Sequence, residues 1–154
     1  MTHYYRYYVL VMLTVVSMIN IMDRLILSIL LEDIKAEFTF TDTQLGVLAG
    51  LAFALFYALM SIPIARWADI SNRKNILAAA LIIWSGMTAL CGAATGFVSL
   101  FLARLGVGIG EAGGSPPSYS IIADYFKPSE RARAMGVYVT GSVLGTGGGL
   151  IVGG

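Results

Sequence analysis

Five apolar stretches, each about 20 residues long, occupy most of the 154 residues of this chain and constrain its fold more than any other feature. A helix climbs about 1.5 Å per residue, so about 20 residues cross the roughly 30 Å of hydrocarbon in a bilayer. The stretches fall near residues 7–31, 43–66, 75–95, 98–123 and 132–154. Hydrophobic residues make up 57% of the chain and charged residues 12%. A soluble domain would carry about a quarter of its residues charged, so an ordinary water-soluble enzyme is excluded and an all-α integral membrane protein is expected. The net charge of +1 supplies no basic field for nucleic acid. The single cysteine, Cys91, has no partner for an internal disulfide and reads as a buried thiol.

The breaks between stretches carry helix punctuation. Thr41 and Gln44 have the spacing of a capping box opening the second span, and Lys127-Pro128-Ser129 closes the fourth before a new helix start. No connection is long enough to fold as a soluble domain. Asn20, Asp23 and Arg24 interrupt the first apolar run, which lacks a small-residue cleavage site and is expected to be a retained span and not a signal peptide. Arg6, Arg66, Arg73, Lys74, Lys127, Arg131 and Arg133 fall on one side of the membrane, against Lys35 alone on the other. The positive side faces the cytoplasm, which predicts a multi-pass cell-membrane protein with a cytoplasmic N-terminus and an outward loop from Glu32 to Asp42. The fifth stretch reaches Gly154 without a polar exit, so a fragment is expected.

Asp23, Arg24, Arg104 and Glu111 lie inside spans, where a charge at the bilayer centre costs roughly 2.5–3.5 kcal/mol on insertion scales. Such residues pair with each other or line a water-filled path, and the second reading is preferred. Counted from the outer ends of their spans, Asp23, Arg24 and Arg104 sit at similar depth, roughly 10 Å below the surface. Glu111 follows Arg104 by seven positions, nearly two turns, and shares its face about 10 Å deeper. Asn20 adds a hydrogen-bonding group one turn before Asp23. These five residues form a candidate binding and proton-handling cluster.

Gly108, Gly110 and Gly113 spell a G-x-G-x-x-G pattern, but in mid-span and not between a strand and a helix, so no dinucleotide cofactor is expected. Small residues four apart instead let helix backbones approach: Gly46 and Gly50; Gly106, Gly110 and Gly114; Gly141, Gly145, Gly149 and Gly153. Pro116-Pro117 should kink or locally unwind the fourth span.

Between the second and third spans, Ala65-Arg66-Trp67-Ala68-Asp69-Ile70-Ser71-Asn72-Arg73-Lys74 resembles the cytoplasmic signature G-x-L-A-D-R-x-G-R-R/K of the major facilitator superfamily. Asp69, Arg73 and Lys74 match; Ala65, Ile70 and Asn72 stand where the signature has Gly, Arg and Gly. Asn20-x-x-Asp23-Arg24, with Arg104-x-x-x-Gly108-x-Gly110-Glu111-Ala112 and the Pro116 to Phe126 segment, is similar to the Spinster-like branch. Organic-anion and sugar-acid symporters of the superfamily share the Asp-Arg pair. In the fifth span, Gly136, Gly145, Gly149, Gly153 and Gly154 follow an antiporter glycine pattern in which Leu150 replaces the proline, so drug–proton antiport is not inferred.

The resemblance implies the N-terminal five spans of a twelve-helix fold with the C-terminal half absent. It also implies a secondary active, proton-coupled transporter of an amphipathic anion such as a lysophospholipid, or of a sugar acid. Arg104, Arg24 and Asn20 would bind substrate, Asp23 and Glu111 would couple protons, and no cofactor or metal is implied. The expected partners are membrane lipids, the substrate, protons and the missing bundle. A lipid-modifying enzyme is disfavoured because the one histidine, His3, lies at the start of the chain and the one cysteine, Cys91, lies in an apolar setting, which leaves the usual ingredients for hydrolysis or transfer unassembled. A packing or regulatory subunit would leave the buried charges unexplained.

Overall fold

A computed structural model describes residues 3–153, apart from the side chains of His3 and Ala52. Among them, five helices are long and apolar enough to cross a membrane, and no strand occurs. The order is α1 (His3–Phe38), α2 (Asp42–Gly46), a π-helical turn (Val47–Leu51), α3 (Ala52–Ile70), α4 (Arg73–Gly92), α5 (Phe97–Ala112), α6 (Ser115–Tyr125) and α7 (Pro128–Gly153). The second span is α2, the π turn and α3 in series, and the fourth is α5 followed by α6.

The largest departure from the expected boundaries is at α1, which continues to Phe38 and not 31. Its extension carries Glu32, Lys35, Ala36 and Glu37, good helix formers that let the helix outlast its apolar stretch. The expected outer loop therefore shrinks to residues 39–41. Thr39 closes α1 with φ 55°, the one non-glycine residue in the left-handed region among those described. Thr41 then caps α2: its hydroxyl accepts from the Gln44 N–H at 3.3 Å, and Gln44 Oε1 accepts from the Thr41 N–H at 2.9 Å. Phe40 and Leu45 flank this box in one buried cluster with Leu48 and Leu100, a hydrophobic staple that sets the entry angle of the chain.

At the signature loop, Asn72 has φ −75° and ψ 104° and its Oδ1 accepts from the Lys74 N–H at 3.1 Å, so it caps α4. Glycine's left-handed freedom is not used at this position, which accounts for the tolerated departure from the family pattern.

The chain divides into two compact units, Met1–Ile29 with Ser118–Gly154, and Leu30–Pro117. In the first, α7 lies along α1 through glycines. A Cβ added at Gly141 would stand 2.3 Å from the Thr14 carbonyl oxygen, and one at Gly145 would stand 2.3 Å from that of Met18. Gly149 and Gly153 continue the stripe against Leu25 and Ile29, and Ser17 and Ser142 share a 2.9 Å hydrogen bond across the same seam. At its end, Arg6 donates to both carboxylate oxygens of Glu130 at 2.8 and 3.2 Å. Arg131 donates to the carbonyls of Ala123 and Phe126, closing the C-terminus of α6.

In the second unit α5 packs against both α4 and α3. Gly106 and Gly110 face Met87 and Trp84 of α4, and a Cβ at Gly110 would come within 2.6 Å of the Trp84 backbone nitrogen. Gly46 and Gly50 meet nothing within 4 Å, so the packing role expected of them is not seen. Gly114 also lies off the α4 contact, and Gly113 meets Ala80 in its place, because α5 has ended by then and the four-residue register no longer holds.

Large apolar side chains such as Leu51, Leu59, Ile62, Ile82, Val98 and Val143 are exposed, while Arg104, Glu111, Ser17 and Ser118 are buried. So many large apolar side chains on the outside suit a hydrocarbon solvent.

Candidate functional site

The fourth span breaks next to its charges. α5 ends at Ala112, and the N–H groups of Gly113 and Gly114 donate to the carbonyls of Gly110 and Glu111 at 3.1 and 2.9 Å in one tight turn. α6 then starts at Ser115-Pro116-Pro117. Proline in a first turn sacrifices no hydrogen bond, because the first N–H groups of a helix lack partners in any case. The expected disruption is therefore present but lies at the glycines, with the prolines opening the next helix instead of kinking one.

Both α5 charges are inside: Arg104 is 4% exposed and Glu111 1%. They are seven residues apart on one face, and Glu111 occupies the last turn before the break. The Arg104 guanidinium carbon lies 5.2 Å from the centroid of the Phe53 ring in α3. Phe53 stacks in turn on Tyr57 at 5.8 Å. Phe53 was not among the residues singled out from sequence, since an aromatic among Phe56 and Tyr57 in an apolar span reads as ordinary packing and carries no local signal.

Asn20, Asp23 and Arg24 are partly buried along α1 in the first unit, while Arg104 and Glu111 belong to the second. Asp69 and Lys74 are exposed at the α3–α4 turn and Arg73 is partly buried there. The side chain of His3 lies outside the described residues. The G-x-G-x-x-G pattern runs through the body and end of α5, with no strand before it, which is not the setting of a phosphate-binding turn. No group of His, Cys, Asp and Glu able to hold a metal occurs among the described residues.

Five membrane-length helices, with two ionisable groups buried in a span that breaks beside one of them, mark a polytopic membrane protein. The chain belongs to the major facilitator superfamily, whose family model matches residues 13–154. A crystal structure of a bacterial homologue of the human lysosomal transporter Spinster, inward-facing and unoccupied, superposes with a TM-score of 0.90 at 48% identity over 94% of this chain and 30% of that one. Similar relatives include an MFS-type efflux pump of Mycolicibacterium smegmatis, 37% identical over 88% of this chain and 33% of the relative. A probable L-galactonate transporter of Escherichia coli is 32% identical over 84% and 28%. The sphingosine-1-phosphate transporter SPNS2 of Danio rerio is 34% identical over 89% and 27%. The chain thus spans a third or less of the length of these relatives.

Proposed function

We propose that this chain is the N-terminal part of a proton-coupled secondary transporter of an amphipathic anion, a lysophospholipid or similar single-chain lipid phosphate. The carrying observation is the pair Arg104 and Glu111, both buried on the broken fourth span. A guanidinium stays protonated and presents a planar fork of donors that fits phosphate or carboxylate, which makes Arg104 the anchor for the anionic head. Glu111 and Asp23 are the carboxylates that exchange protons. A charged Glu111 lies about 10 Å along the helix from Arg104, which corresponds to roughly 1.7 kcal/mol at an effective dielectric of 20, or about 15-fold in anion affinity. Protonation of Glu111 therefore favours anion entry, and anion release favours proton loss. Such a pair takes up and releases a proton while the substrate's own covalent structure stays unchanged, so no enzymatic role is assigned.

The similarity to the bacterial Spinster homologue and to SPNS2 supports the lipid phosphate. Similarity to the L-galactonate transporter and to a D-galactonate transporter, both of Escherichia coli, supports a second reading, a sugar acid, which the same Arg104 would hold by its carboxylate. In either case a C-terminal bundle supplies the opposite wall of the cavity, since alternating access rocks two repeats about a shared site. Arg104→Lys in the full-length protein should weaken binding about ten-fold, since a point charge replaces a bidentate fork. The measurement is a titration with radiolabelled lysophosphatidylglycerol and, separately, D-galactonate. Saturable binding of one and not the other selects the substrate class, and an Arg104→Lys variant of unchanged affinity would remove Arg104 from the site.

We also propose that the N-terminus and the α3–α4 turn face the cytoplasm, on the strength of Arg66, Arg73 and Lys74 gathered at that turn. A cysteine at Asn72 should resist an impermeant thiol reagent added to intact cells while one at Thr39 reacts, in a background lacking Cys91. Labelling of Asn72 and protection of Thr39 would invert the orientation.

A further inference from the structure

The aromatic ring under Arg104 is packed from both its own helix and the facing one. Phe53 is buried; its ring stacks on Tyr57 one turn away at an interplanar angle of 25°. On the α5 side, a Cβ at Gly108 would stand 3.3 Å from the Phe53 carbonyl oxygen and 3.4 Å from its ring edge. Gly108 follows Arg104 by one turn, so the glycine draws the α3 backbone close at the turn from which Arg104 projects. The result is a fixed aromatic face 5.2 Å from the guanidinium carbon.

A guanidinium is attracted to an aromatic face through the ring's quadrupole, most strongly where water is excluded. Arg104, buried to all but 4% of its surface, meets that condition. A ring lying against the face of a guanidinium leaves the in-plane N–H groups, which form a bidentate bond to an anion, to other acceptors. We propose that Phe53 is a positioning residue: its ring orients Arg104 so that the donor edge is presented to the anionic group of the substrate. This rests on the reading of Arg104 as the anion anchor. Phe53 touches the arginine and acts through it.

The proposal separates a quadrupole effect from simple bulk. Phe53→Leu keeps the site apolar and removes the ring face; in the full-length protein it should raise the half-saturating concentration for exchange about ten-fold and leave the maximal rate within about two-fold. Phe53→Tyr should restore wild-type affinity, and in an Arg104→Gln background Phe53→Leu should add less than about two-fold, since no cation is left for the ring to orient. Mono-, di- and trifluorophenylalanine at position 53 preserve shape while draining the quadrupole. Affinity should fall stepwise along that series, which keeps the test open even if the leucine variant does not fold. The probe is whichever of lysophosphatidylglycerol and D-galactonate saturates the wild type. A flat response to fluorination, or a Phe53→Leu effect of equal size with and without Arg104, overturns the positioning role. Saturation by neither anion, or unchanged affinity in Arg104→Lys, overturns the anchor itself and with it this inference.

Discussion

Glu111→Gln is expected to leave substrate exchange intact and to abolish accumulation driven by a pH gradient. With one proton moved per substrate and no membrane potential, a gradient of one pH unit supplies about 1.4 kcal/mol, enough for ten-fold accumulation. The amide keeps the size of the carboxyl and fixes its charge at zero, so the Arg104 side of the site remains able to take an anion at any pH. The accumulation ratio in proteoliposomes should fall from about ten to about one, while counterflow of labelled substrate continues. The neutral side chain is compatible with its surroundings because Glu111 is 1% exposed, in the last turn of α5. Persistent ten-fold accumulation with wild-type pH dependence would transfer coupling to Asp23 or to a group outside this chain.

Gly145→Val is expected to be strongly damaging on the α1–α7 seam. Its first added carbon would lie 2.3 Å from the Met18 carbonyl oxygen and 3.1 Å from the Ile21 Cβ, and backbone within a packed helix cannot swing aside as a flexible side chain can. Overpacking typically costs about 1–3 kcal/mol, and contact with backbone on the opposing helix places this site at the upper end. The control is Gly147→Val, two residues along the same helix, where an added Cβ meets nothing within 4 Å. Unfolding of the full-length protein in detergent should show a loss of about 3 kcal/mol for Gly145→Val and less than about 1 kcal/mol for Gly147→Val. Equal losses at both positions would mean that helix propensity and not backbone approach decides the result.

The five apolar spans, the capping box at Thr41 and Gln44, and the intramembrane position of Arg104 and Glu111 were all legible in the residues alone. Each follows from short-range rules. Hydrocarbon thickness sets the length of an apolar run, a hydroxyl three residues before an amide can cap locally, and a charge within a run is costly wherever the run packs. The end of α1 was missed because an apolar window measures solvent preference, whereas Glu32 to Glu37 continue the helix by intrinsic propensity.

Other features required the tertiary structure. Four-residue glycine spacing is the same at Gly46 and Gly50 as at Gly141 and Gly145, yet only the second pair lies against another backbone. Spacing defines a face of a helix but not which neighbour covers it. Likewise Pro116 and Pro117 announce a disturbance, while its position at Gly113 and Gly114 depends on α5 ending where its last carbonyls can be satisfied in a tight turn. The placement of Phe53 under Arg104 joins residues from different helices through the space left by Gly108, a relation that no local pattern encodes. The sequence by itself determined the solvent, the number of spans and the charges committed to the interior, because these depend on the free energy of single segments in the bilayer. Only the tertiary structure decided which small residues pack, where the fourth span breaks and what holds Arg104, because these depend on the mutual approach of segments far apart in the chain.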